Sequence, residues 1–116
     1  MSYISGMQQS MSIGEAGAVA LAEMFRLMGD ASRLKIVFAC LETPVCVGDI
    51  AERTGLSPSL VSHHLRLLRA GRVVRAERQG RQIFYAAADR HIRSVVTDMA
   101  AHLAEGEAES PSPSRQ

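Results

Sequence analysis

The sequence predicts a mainly α fold class: four helices, a small β-hairpin and a closing helix. Three observations carry this. Apolar residues recur at helical spacing along most of the chain, capping residues punctuate that pattern, and one stretch around residue 80 alternates around a Gln-Gly pair instead. The 116 residues suffice for one small domain with a modest core. With no Trp, two Tyr and three Phe, that core must rest on Leu, Val, Ile, Met and Ala, which suits helices.

Taken in order, residues 1–13 are polar and aperiodic and read as a flexible N-terminal arm. From Gly14 to Met28 the residues Ala18, Leu21, Ala22, Phe25 and Met28 follow helical spacing, and Gly29-Asp30 breaks the run. Asp30 can cap the next helix, "ASRLKIVFACLE", with its stripe of Leu34, Val37, Phe38 and Leu41, ended by Thr43-Pro44. A short helix at "VGDIAERTG" closes on Gly55. Ser57 and Pro58 then form an N-cap and first helical position, Leu60, Val61, Leu65 and Leu68 point inward, and Gly71 ends the helix. Strands are expected over Val73–Glu77 and Gln82–Ala86, turning at Gln79-Gly80, and a last helix over Asp89–Glu105. The folded domain is therefore expected over 14–105, followed by a disordered Pro/Ser-rich tail over 106–116.

Several classes are excluded. No segment approaches the roughly 20 apolar residues of a membrane span, and the first residues lack a secretory pattern. Cys40 and Cys46 make no disulfide framework, so the expectation is a soluble cytoplasmic protein without a membrane partner. Ser62 and the pair His63-His64 could do acid–base chemistry, but no Asp-His-Ser set or glycine-rich phosphate loop accompanies them; the chain is not expected to be an enzyme.

The net charge of +1 hides a bias: between Arg53 and Arg81 lie seven arginines and one acid, Glu77. Such a run reads either as a solvated face or as a polyanion site. The short helix, turn and second helix between residues 47 and 70 favour the latter, because they make a candidate helix-turn-helix. Its second helix would enter the major groove with Ser57, Ser59, Ser62, His63 and Arg66 near its start. Ser and His can donate or accept there, and Arg66 can bond guanine or a phosphate. The hairpin adds Arg75, Arg78, Gln79 and Arg81 for backbone or minor-groove contact.

At this point the chain resembles the ArsR/SmtB family of metal-sensing repressors. The matching residues are "LMGDASRLKIV" and "PVCVGDIAERTGLSPSLVSHHLRLLRAGRVVRAERQGRQIFYAA", and the likeness covers about residues 18–105. It implies a winged helix-turn-helix fold (α1-α2-α3-α4-β-β-α5) that dimerises through its terminal helices. It further implies a homodimer that binds an inverted-repeat operator and leaves it when an inducer binds.

The last helix suggests what that inducer is. His91 and His102 are eleven residues apart, hence roughly 16 Å along a helix, whereas two ligands of one zinc lie within about 4 Å of each other. Eleven residues is also close to three turns, so both point the same way. Two antiparallel copies of the helix resolve the conflict, setting His91 of one beside His102 of the other. The midpoint of the histidines is 96.5 and that of Asp89 and Glu105 is 97, so both pairs imply one crossing point. Ile92, Val95, Val96, Met99 and Leu103 would supply the dimer contact. Asp89, His91, His102 and Glu105 together offer two nitrogens and two oxygens, which fits Zn(II), with Co(II) as the other option. Asp89 also suits a plain N-cap. The spacing matches the family's interhelical metal site, and the resemblance assigns ligand roles to these four.

Two alternatives stay open. A thiol, redox or arsenite sensor would use Cys40 and Cys46, although residues 1–39 hold no Cys or His to complete a site and Cys40 reads as a buried hydrophobe. A Ni/Co sensor would recruit further ligands, for which the tail has only Glu107 and Glu109. The resemblance implies an allosteric relay in which His102 bonds toward the start of the DNA-reading unit; the backbone carbonyl of His63 is the candidate acceptor.

Overall fold

The computed structural model describes residues 12–109. The chain runs α1 (Glu15–Met28), α2 (Ala31–Ala39), β1 (Val45–Cys46), α3 (Val47–Thr54), α4 (Pro58–Ala70), β2 (Val74–Gln79), β3 (Gln82–Ala87) and α5 (Arg90–Glu109). The expected order of helices and hairpin is present.

Local chemistry explains the boundaries. Asp30 caps α2 by accepting the Arg33 amide, and Ser57 caps α4 by accepting the Leu60 amide with Pro58 in the first turn. Helix α3 stops at Gly55, whose φ of 77° is left-handed and favours glycine. Helix α2 ends earlier than its apolar stripe, at Ala39, with Cys40 as the C-cap.

The hairpin belongs to a three-stranded antiparallel sheet of order β1-β3-β2. The extra strand, β1, pairs Val45 with Tyr85 and Cys46 with Phe84. Two residues are too few to carry a period of two, so alternation could not reveal it. Gln79 pairs with Gln82, so the turn residues are Gly80-Arg81, one position beyond the expected pair.

The core lies where α2, α3, α4 and the sheet meet, around Ile36, Val37, Ile50, Val61, Leu65 and Leu68, and no charged side chain is buried among the described residues. Truncating Leu65 or Leu68 to Ala removes packing worth about 2–5 kcal/mol.

Three apolar residues face otherwise than expected. Leu60, expected in the core, is 40% exposed, because α4 is held by Val61, Leu65 and Leu68 on a narrower stripe. Ile92 and Val96, expected at the dimer contact, pack into the chain's own core. Only Val95, Met99 and Leu103 of that set face outward. Helix α5 continues to Glu109, so residues 106–109 of the expected tail are helical. Good helix formers surround Gly106, whose cost of about 1 kcal/mol they absorb. Residues 1–11 of the expected arm and 110–116 of the expected tail lie outside the described residues.

Candidate nucleic-acid interface and metal-ligand row

Helix α4 carries the candidate DNA-reading side chains. Ser59, Ser62, His63 and Arg66 follow i, i+3, i+4, i+7 spacing, so they share one face, and all four are exposed. Val61, Leu65 and Leu68 bury the opposite face. Burial of one stripe thus forces the other into solvent. Ser57 Oγ is engaged as the cap, 3.1 Å from the Leu60 amide nitrogen, and its hydroxyl proton remains available to an outside acceptor.

The hairpin keeps Arg75, Arg78, Gln79 and Arg81 exposed. Arg75 is engaged: its Nη1 lies 2.7 Å from Glu77 Oε2, so the lone acid of the basic stretch is spent on it. Arg78 donates to the Gly80 carbonyl at the hairpin tip over 3.4 Å.

On α5, His91, His102 and Glu105 are exposed, as is Asp89 immediately before the helix. Asp89 Oδ1 accepts the Ile92 amide at 3.0 Å, so this residue is the helix N-cap and keeps its other carboxylate oxygen free of that bond. Among the described residues of one chain, no three His, Cys, Asp or Glu side chains converge on a point. The four candidates instead form a row along one helix. Asp98, exposed and four residues before His102, belongs to the same row, and its i, i+4 spacing is the signal in the sequence that marks it. The donor set, two imidazoles and two carboxylates, is one that zinc accepts.

Beside this row lies uncovered apolar surface. Val95, Met99 and Leu103 of α5 and Val19, Leu21 and Phe25 of α1 are all exposed. A groove of about 310 Å³ runs between α1, α2 and α5, lined by Phe25, Met28, Leu34, Phe38 and Met99.

The cysteines differ. Cys40 is fully buried, its thiol 3.4 Å from the Ile36 carbonyl, and burial pushes its pKa up to about 11. Cys46 is half-buried at the start of α3 and makes no side-chain cap bond. His63 lies within α4 and His102 within α5.

The structure also reveals residues the sequence reading missed. Arg33 of α2 donates from Nη1 to the Leu27 carbonyl at 2.9 Å and from Nε to His64 Nδ1 at 3.4 Å. The His64 ring stands 5.7 Å from that of His63, centroid to centroid. No spacing rule could pair residues 31 positions apart.

A helix pair with one buried and one solvated face, followed by a basic hairpin, defines a winged helix-turn-helix of the DNA-binding class. A family model for bacterial regulatory proteins of the arsR family matches residues 30–76. A transcriptional repressor SmtB homolog of Synechocystis sp. is 39% identical over 90 residues, covering 78% of this chain and 68% of that protein. A cadmium resistance transcriptional regulatory protein CadC homolog of Staphylococcus aureus is 31% identical, covering 73% and 71%. Of several curated relatives it matches, the chain spans between 60% and 71% of their length. Among solved structures, the AntR antimony-specific transcriptional repressor superposes with a TM-score of 0.70 at 25% identity, covering 84% of this chain and 88% of that one. The chain belongs to the ArsR family of bacterial regulatory proteins. It is a transcriptional regulator, not an enzyme.

Proposed function

We propose that this chain is a metal-responsive repressor. It binds an inverted-repeat operator as a homodimer and is released when Zn(II), or Co(II), occupies a site between the last helices of two subunits. The observation that carries the reading is the row on α5: His91 and His102, three turns apart, exposed beside the uncovered apolar residues Val95, Met99 and Leu103. A row spread over that length is incomplete in one chain and is completed by an antiparallel copy, with Asp89 and His91 from one subunit and His102 and Glu105 from the other.

Phe25 of α1 and Val95, Met99 and Leu103 of α5, which line one groove, support the dimer, since a contiguous apolar patch of this kind marks an association surface. The basic, serine-lined face of α4 supports operator reading, with Ser57, Ser59, Ser62, His63 and Arg66 toward bases and nearby phosphates. Arg75, Arg78, Gln79 and Arg81 of the hairpin would meet the DNA backbone or minor groove. Work on DNA implies the cytoplasm; no helix among the described residues is long and apolar enough to cross a membrane.

The relatives' names speak of cadmium resistance and antimony; the oxygen-and-nitrogen donor set here favours zinc or cobalt over such thiophilic ions. Asp89 and His91 of one subunit with His102 and Glu105 of the other would hold the zinc, which would then link the two last helices. His102 would then present its other ring N–H to an acceptor. The backbone carbonyl of His63 is the acceptor we assign, linking α5 to the DNA-reading helix with a coupling of about 1–3 kcal/mol. Burial of Cys40 leaves the thiol-sensor alternative without an accessible partner for Cys46.

The test is a fluorescence titration of the DNA segment preceding the chain's own coding region, with and without Zn, Co, Ni and Cd. Weaker operator binding with zinc or cobalt is expected. Equal affinity with and without zinc discards the reading.

A further inference from the structure

The junction between α1 and α4 is tied at two places, both on Leu27. Helix α1 ends at Met28, so the Leu27 carbonyl is one of the last four in the helix and has no intrahelical partner. Arg33 Nη1 satisfies it at 2.9 Å. The same guanidinium reaches α4, donating from Nε to His64 Nδ1 at 3.4 Å. At the far end of α4, Gly71 lies under the Leu27 side chain: a β-carbon there would stand 2.2 Å from Leu27 Cδ1. Leu27 is thus held to the middle of α4 through Arg33 and His64, and to its end through Gly71.

Two features give this junction a consequence for DNA. The His64 ring neighbours that of His63, which is exposed on the DNA-reading face. At the other side, α1 carries Leu21 and Phe25, four residues apart on one face, outward, and Phe25 lines the groove shared with Met99 and Leu103 on the surface assigned above to the second subunit. The guanidinium fork offers two fixed N–H directions at once, which a lysine ammonium on a flexible stem does not. Because Nδ1 of His64 accepts, its ring proton sits on Nε2.

We propose that Arg33 is a positioning residue for operator recognition. By holding the Leu27 carbonyl and the His64 ring together it sets the tilt of the recognition helix against the dimer helix α1, and through His64 it sets the ring of His63. This rests on the reading that α4 recognises an operator.

The experiment titrates the full chain with two duplexes, one carrying the DNA that precedes its coding region and one of scrambled sequence and equal length. Arg33→Gln, Arg33→Lys and His64→Ala are each expected to weaken binding of the first about three- to thirtyfold, while binding of the scrambled duplex stays within about twofold. His64→Asn, whose side-chain carbonyl oxygen can stand in for Nδ1, is expected to restore wild-type discrimination. Thermal unfolding of each variant checks the fold. Wild-type affinity for the first duplex in both Arg33 variants overturns the tie and leaves the proposed function standing. So does full rescue by Lys, which would reduce Arg33 to a point charge. Equal loss on both duplexes overturns it too, since Arg33 would then touch phosphate itself. No sequence preference in the wild type defeats the proposed function and the tie together. Should the Arg33 variants fail to fold, the His64 pair decides: loss in Ala with rescue in Asn supports the tie, and wild-type discrimination in Ala overturns it.

Discussion

Asp89 accepts the Ile92 amide through Oδ1 at 3.0 Å, which makes a carboxylate in the proposed metal site also the residue that starts α5. The two roles separate by chemistry. Asparagine caps a helix about as well as aspartate but carries no charge for a cation. Asp89→Asn should therefore leave the melting temperature near wild type while weakening zinc binding. Asp89→Ala should lose both, with about 1 kcal/mol of stability. Calorimetric zinc titration alongside thermal unfolding checks this; equal zinc affinity in Asn and wild type would remove Asp89 from the ligand set.

A site shared between subunits predicts complementation. A chain lacking Asp89 and His91 and a chain lacking His102 and Glu105 should each bind zinc poorly as homodimers. Mixed, they form a heterodimer in which one site regains all four ligands and the other has none. Zinc measured on the purified heterodimer should approach one ion per dimer. A heterodimer as empty as its parents would show that the four residues do not meet across subunits.

Cys40 makes stability depend on pH in the alkaline range. Burial raises its pKa from 9.0 to about 11, so the folded chain holds the thiol proton where the unfolded chain has released it. The contribution is therefore present below pH 9 and is lost as pH rises toward 11. A shift of that size corresponds to about 2–3 kcal/mol. Urea midpoints should fall more steeply over this range in wild type than in Cys40→Ala. At neutral pH, a thiol reagent should label Cys46 in the native chain and reach Cys40 only on unfolding. The zinc response should survive in the Cys40→Ser/Cys46→Ser double variant, whereas its loss there would revive the thiol sensor.

Glu77 restrains one of the hairpin arginines. Its Oε2 lies 2.7 Å from Arg75 Nη1 at the surface. Glu77→Gln should free Arg75 for phosphate and tighten binding to any duplex. The slope of log affinity against log salt should steepen by about 0.9, one phosphate contact. An unchanged slope would mean that Arg75 does not reach the DNA backbone.

Much of this was readable along the chain because it depends on neighbours a few positions apart. Asp30, Ser57 with Pro58, and Gly55 acted as caps where their chemistry demanded. The exposed face of α4 followed from one helical period. The row on α5 was legible for the same reason, since eleven residues nearly close three turns. What escaped was non-local or too short. Strand β1 has two residues and exists only because β3 offers a free edge. Ile92 and Val96 carry the same apolar signal as Val95 and Met99, and periodicity cannot tell a stripe facing its own core from one facing a partner.

The linear order of residues by itself determined the starts of α2 and α4, the stop of α3 at Gly55 and the spacing of the ligand row, because capping and helical period are local. The burial of Cys40 was expected from its place on the α2 stripe. Only the tertiary structure decided which apolar side chains the chain covers for itself and that Arg33 joins Leu27 to His64. These depend on burial and on contacts between segments far apart in sequence, and each is selected by the packing of the whole core.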